Sequence, residues 1–98
     1  MGDGIYFVYI LTNLHKTTLY TGITNNLVRR VEEHKGGAAS VFSGKYHVNR
    51  FEYYEIYRDV RAAIAREKQI KGGSRSRKVD LINFLNPECR DLNLEWNQ

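Results

Sequence analysis

The sequence predicts an α+β fold with its elements in the order β-β-α-β-α-α, and three features of the pattern predict it. Two short runs rich in β-branched and aromatic residues, 5–12 and 18–24, flank a polar turn from Asn13 to Thr17. Helical periodicities follow Asn25 and Asp59, and the pairs Gly36-Gly37 and Gly72-Gly73 stand where those periodicities end. A chain of 98 residues with 42% hydrophobic content suits one compact domain spanning 1–98, with 87–98 as a C-terminal tail.

Taken in order, the first two runs read as a hairpin. Alternation sets Tyr9 on one face with Phe7 and Leu11, and Tyr20 on one face of the second strand with Gly22. The missing side chain at Gly22 is expected to leave room beside Tyr20. Asn25 is the expected N-cap of a helix that runs to about Lys35, stopped by the glycine pair. Leu27, Val31 and His34 mark its apolar face. Arg30 lies within that stripe one turn from His34, so a guanidinium and an imidazole converge toward the hairpin.

Residues 36–49, rich in Gly, Ser and Ala with Lys45, Tyr46 and His47, read as a loop with room for one short helical turn. Phe51 to Tyr57 is the third strand, with Glu52 and Glu55 among four aromatic residues. Asp59 caps a helix over about 60–71 whose apolar face is Val60, Ala63, Ile64 and Ile70. Glu67 falls on that face, where an ionised carboxylate is costly unless it is paired or binds a metal. A last helix over about 74–85 ends before Pro87.

Five basic residues and no acidic one lie between positions 68 and 78: Lys68, Lys71, Arg75, Arg77 and Lys78. Three crowd a helix N-terminus, where cations oppose the macrodipole and a bound anion relieves the conflict. The net charge of +4 also favours an anionic partner. The single cysteine, Cys89, excludes an intrachain disulfide and a Cys-rich zinc site and fits a reducing, cytoplasmic setting. No apolar run approaches the roughly 20 residues of a membrane span, and the N-terminus lacks an export pattern.

With Tyr9, Tyr20-Thr21-Gly22, Arg30, His34 and Glu67 in this order, the chain resembles the GIY-YIG nuclease superfamily, in its small single-domain bacterial branch. The resemblance covers nearly the whole chain: Tyr6 to Leu11, Leu19 to Thr24, Arg29-Arg30 and His34, Arg66 to Gly72, and Asn86-Pro87. Gly4-Ile5-Tyr6 spells the first signature literally, but that match is accidental. The family's two tyrosines stand about eleven residues apart, which pairs Tyr20 with Tyr9 and leaves Tyr6 on the opposite face of its strand.

The resemblance implies a three-stranded antiparallel sheet flanked by helices, and hydrolysis of DNA phosphodiesters assisted by one divalent metal, usually magnesium, with manganese as a substitute. Glu67 then ligates the metal. Arg30 holds non-bridging phosphate oxygens in the transition state. Tyr9 and Tyr20 position or deprotonate the attacking water, with His34 the nearest proton acceptor. Lys68 and Lys71 fit substrate contacts. A domain this small suits a structure-selective endonuclease better than one reading a long sequence, as in DNA repair or recombination. Two departures stand out: Gly73 replaces a Trp common in related chains, and the family's Asn has two candidates, Asn83 and Asn86.

Taken singly, each signal has an ordinary reading. Strand tyrosines pack, and Glu67 pairs with Lys71 at the four-residue spacing. The functional alternative is a DNA-binding module with little cleavage, acting with a protein partner.

Overall fold

The computed structural model describes residues 4–35 and 50–92. It contains β1 (Tyr6–Thr12), β2 (Leu19–Thr24), α1 (Leu27–Lys35), β3 (Arg50–Tyr57), α2 (Val60–Gly72) and α3 (Arg75–Leu85). The expected loop over 36–49 lies outside the described residues. The strands form an antiparallel sheet in the order β2-β1-β3, as the resemblance implies.

Asn13 closes the hairpin. Its side-chain oxygen accepts from the Thr18 amide at 3.1 Å, and its carbonyl accepts from the Lys16 amide at 3.1 Å. Lys16 takes a left-handed conformation, φ 57°, which is unfavourable for a residue with a Cβ. Its ammonium in return reaches Oε1 of Glu52, 3.2 Å away on β3.

The central strand divides the core by parity. Val8 and Ile10 pack with Tyr53, Ala63, Ile70 and Ile82, so α2 and α3 cover one face of the sheet. Tyr9 and Leu11 pack with Leu27, Val31 and Phe51, so α1 covers the other. Tyr6 borders the first cluster, opposite Tyr9, as expected of an accidental match at Gly4-Ile5-Tyr6.

Strict alternation would set Phe51 and Tyr53 on one face, yet they lie in opposite clusters. A shift in pairing causes this: Ile10 faces Tyr53 while Leu11 faces Phe51, leaving Glu52 as the extra residue of a bulge. Glu52 is fully buried, with Arg50 Nε at 2.9 Å from its Oε2 and Lys16 on the other oxygen.

Each helix begins at a polar cap. Asn26, one residue beyond the expected Asn25, accepts from the Arg29 amide at 3.2 Å, while its own amide is held by Thr24 Oγ1 at 3.1 Å. Asp59 accepts from the Arg61 amide and Ser74 from the Arg77 amide, each at 3.1 Å. The apolar face of α2 is narrower than expected. Ala63 and Ile70 are buried, but Val60 and Ile64 are 40% and 41% exposed. Arg66 flanks the buried line instead of Ile64, because its guanidinium is bound to Glu55 of β3. After α3, Asn86 ties the tail to the sheet by donating to the carbonyls of Glu52 at 3.2 Å and Arg90 at 2.7 Å. The Leu92 amide then bonds to the Phe51 carbonyl at 2.7 Å.

Candidate active site

Tyr9 is fully buried at the centre of the sheet. Its register partner on β2 is Gly22, and a Cβ added there would stand 2.5 Å from Tyr9 Cζ. The absent side chain therefore makes room for the Tyr9 ring, a correction to the expectation that it opens space beside Tyr20. Tyr20, half-buried two residues earlier on β2, brings its ring centroid to 6.4 Å from that of Tyr9, tilted by 45°.

From the helix above, Arg30 hydrogen-bonds the Tyr9 phenol and also lies 3.3 Å from Glu33 Oε1. From α2, Glu67 brings a carboxylate whose side chain is only 12% exposed, capped by Lys71 Nζ at 2.6 Å from Oε2. Burial pushes the Tyr9 phenol up to about 12, against the hydrogen bond from Arg30 and with reinforcement from Tyr20 and Glu67. Residues of β1, β2, α1 and α2 are thus electrostatically linked at one phenol. The proton of Tyr9 stays in place through neutral pH in this state, and acting as a base requires that environment to change.

Other expected site residues are placed differently. His34 belongs to α1, but its side chain is outside the described residues. Lys68, Lys71, Arg75 and Arg77 are exposed and Lys78 is half-buried. Lys71 joins the Glu67 carboxylate, whereas Arg77 and Lys78 line a separate recess of about 230 Å³ with Arg66 and Gln69. Of the two candidate asparagines, Asn86 is committed to the backbones of β3 and the tail. Asn83 lies 3.6 Å from Cys89 Sγ. A larger recess of about 950 Å³ between α1, β3 and the tail includes neither tyrosine, nor Arg30 or Glu67. The convergence of chemistry, not cavity size, locates the site.

Sequence reasoning missed a second polar cluster behind it. Arg66 Nε and Nη2 each lie 2.9 Å from an oxygen of Glu55, and the Tyr53 and Tyr57 hydroxyls donate to the same carboxylate. Burial alone would raise the Glu55 carboxyl, but Arg66 and the two phenols outweigh it and hold it below its ordinary value. Only the presence of Glu55 among aromatic residues of a strand hinted at this in the sequence.

No helix among the described residues is long and apolar enough to cross a membrane. Residues 5–80 match the family model described as the GIY-YIG catalytic domain. The chain is 35% identical over 77 residues to a UPF0213 protein of Clostridium perfringens, covering 79% of this chain and 82% of that one. It is 38% identical over 86 residues to one from Syntrophus aciditrophicus, covering 84% and 93%. The solution NMR structure of a UPF0213 protein from Bacillus halodurans superposes with a TM-score of 0.50 at 26% identity, over 82% of this chain and 84% of that one. These matches place the chain in the GIY-YIG family, whose domain is that of an endonuclease.

Proposed function

We propose that this protein is a metal-dependent endonuclease that hydrolyses DNA phosphodiesters, selecting its substrate by structure. The observation that carries the reading is the gathering of the Tyr20 ring, 6.4 Å away, and the Arg30 guanidinium at the buried Tyr9 phenol, with the largely buried Glu67 carboxylate near enough to act on its charge. A packing role for Tyr9 does not require a guanidinium hydrogen-bonded to its hydroxyl.

Nucleases of this family generally use a divalent metal. Glu67 offers carboxylate oxygens, the donor type a hard cation prefers, at a largely buried position. A site with one protein carboxylate would suit magnesium, with manganese as a substitute. When bound, such a cation neutralises phosphate charge and acidifies a coordinated water.

The remaining work falls to the side chains. Glu67 would hold the cation, and Lys71, beside that carboxylate, would offer its ammonium to a phosphate oxygen. Arg30 turns its fork of donors from Glu33 toward the non-bridging oxygens, where charge grows in the transition state. Tyr9 and Tyr20 orient the attacking water, and His34 is the proposed proton acceptor at the end of α1. The exposed Lys68, Arg75 and Arg77 carry the DNA backbone past the site. One small domain offers little area for reading bases, which favours branched, flapped, single-stranded or damaged DNA.

The test is cleavage of a labelled panel of single-stranded, duplex, flap and branched DNAs with magnesium or manganese. Glu67→Ala is expected to lose at least about 100-fold, because a cation's charge stabilisation is worth several kcal/mol and about 1.4 kcal/mol is tenfold. Its metal-free DNA binding is expected to persist. Absence of cleavage across the panel, with salt-sensitive binding intact, would return the protein to the binding-module reading.

A further inference from the structure

α2 carries Glu67 and packs across all three strands, and among the described residues Ala63 and Ile70 are its only positions buried below a tenth of their surface. At about 100° per residue these two lie nearly in line along the helix, while Arg66 and Glu67 fall on opposite flanks of that line. Apolar packing along one line fixes the rotation of a helix about its axis less sharply than a directional polar contact on its flank does. α2 has such a contact. Arg66 makes a two-pronged contact with Glu55, at 2.9 Å for Nε to Oε1 and 2.9 Å for Nη2 to Oε2. Its Nη1 also donates to Gln69 on the same helix at 2.8 Å.

The acceptor is itself fixed. The Tyr57 hydroxyl donates to Glu55 at 2.6 Å, and the Tyr53 hydroxyl donates to its other oxygen. Tyr53 is buried in the first core cluster, and Tyr57 borders it. A planar guanidinium held by both ends of a carboxylate has one favoured orientation, which a single ammonium contact does not impose. The residue so fixed is the immediate chain neighbour of Glu67.

We propose that Arg66, clamped to Glu55, Tyr53 and Tyr57, is a positioning residue that sets the roll of α2 and thereby the placement of the Glu67 carboxylate. The clamp acts on the reaction from the opposite flank of the helix, without touching substrate. A misplacement of about 1 Å at a reacting group can lower the rate on the order of 100-fold, so a small roll is sufficient for a large effect. This rests on the nuclease reading, in which Glu67 holds the metal.

The experiment titrates manganese into the protein without DNA and follows paramagnetic broadening of the Glu67 side-chain and Tyr20 ring signals by NMR. Wild type, Arg66→Lys and Glu55→Gln are compared with Ile82→Val, which destabilises the same core away from the clamp. Arg66→Lys and Glu55→Gln are expected to raise the half-saturating manganese concentration about tenfold, and to lower kcat more than they raise KM on the substrate wild type cleaves. Ile82→Val is expected to lower Tm without moving the manganese midpoint. Glu55→Gln keeps the size of the acceptor and serves if Arg66→Lys does not fold. Unchanged manganese midpoints in either folded clamp variant would overturn the proposal. If manganese still broadens the Tyr20 ring signal at the same midpoint in Glu67→Ala, the metal assignment itself fails, and the proposal falls with it through a separate signal.

Discussion

At the scale of single residues, the sharpest constraint is Gly22. A methyl group there meets Tyr9 Cζ at 2.5 Å, and the ring has nowhere to retreat because Tyr9 is fully enclosed. Gly22→Ala is therefore expected to cost about 1–3 kcal/mol, as overpacking of a filled core does. It should also lower cleavage in the remaining folded protein by displacing the phenol. Urea unfolding beside a rate measurement checks both, and an unchanged midpoint would show that the sheet opens more easily than its packing suggests. The faces of Tyr9 and Tyr20 within their own strands were legible from the two-residue strand period, while their shared face follows from the register that sets Tyr9 opposite Gly22 and Leu11 opposite Tyr20. The Arg66 to Glu55 clamp was not legible, since those residues are eleven apart and meet across a strand and a helix, where no local period relates them. Glu67 was half legible: its placement among apolar positions signalled an inward side chain, and Lys71 supplies the ordinary partner as well.

At the scale of elements, strands, helices and turns followed local chemistry closely, and the errors occurred where a tertiary contact overrode it. The one-residue shift of the α1 cap comes from Thr24, which engages the Asn26 amide and makes Asn26 the better-placed acceptor for Arg29. The bulge in β3 left no comparable local trace. A carboxylate facing the interior drew attention to Glu67, whereas the fully buried one is Glu52, ion-paired with Arg50 and Lys16. Glu52→Ala removes the acid that gathers the hairpin turn and β3 and leaves two cations without it. Breaking a buried pair from one side costs about 3–5 kcal/mol, and the partly exposed Lys16 and Arg50 side chains can recover some of that from water. The expected outcome is a large fall in the urea midpoint with cleavage per folded molecule little changed at saturating magnesium. A selective loss of cleavage would instead connect the bulge to the site.

At the scale of the whole molecule, charge and ionisation give two readouts that no single contact supplies. If Lys71, Arg75 and Lys78 contact DNA phosphates, neutralising all three should reduce the slope of log Kobs against log salt by about 2–3, close to one per contact. An unchanged slope would remove the basic segment from the interface. Alkali tests the interior. The Tyr9 phenol is raised by burial from 10.0 to about 12, and Tyr57 is raised by burial and the Glu55 carboxylate. Burial raises Tyr53 as well, with Glu55 adding to the shift. A phenol whose folded pKa exceeds its unfolded one contributes stability that is fully present below pH 10.0 and is lost as the pH climbs toward about 12. For Tyr9 alone that loss is on the order of 2–3 kcal/mol, taking about 1.4 kcal/mol per unit, which is a large part of the 5–15 kcal/mol typical of a domain. The measurement is urea unfolding of wild type and Tyr9→Phe on either side of that window. Tyr9→Phe has no proton to lose at this position and is expected to forfeit less stability across the window, even if it starts from a lower value. Equal losses in the two proteins would place the alkaline sensitivity elsewhere and show that the Tyr9 phenol ionises without disturbing the fold.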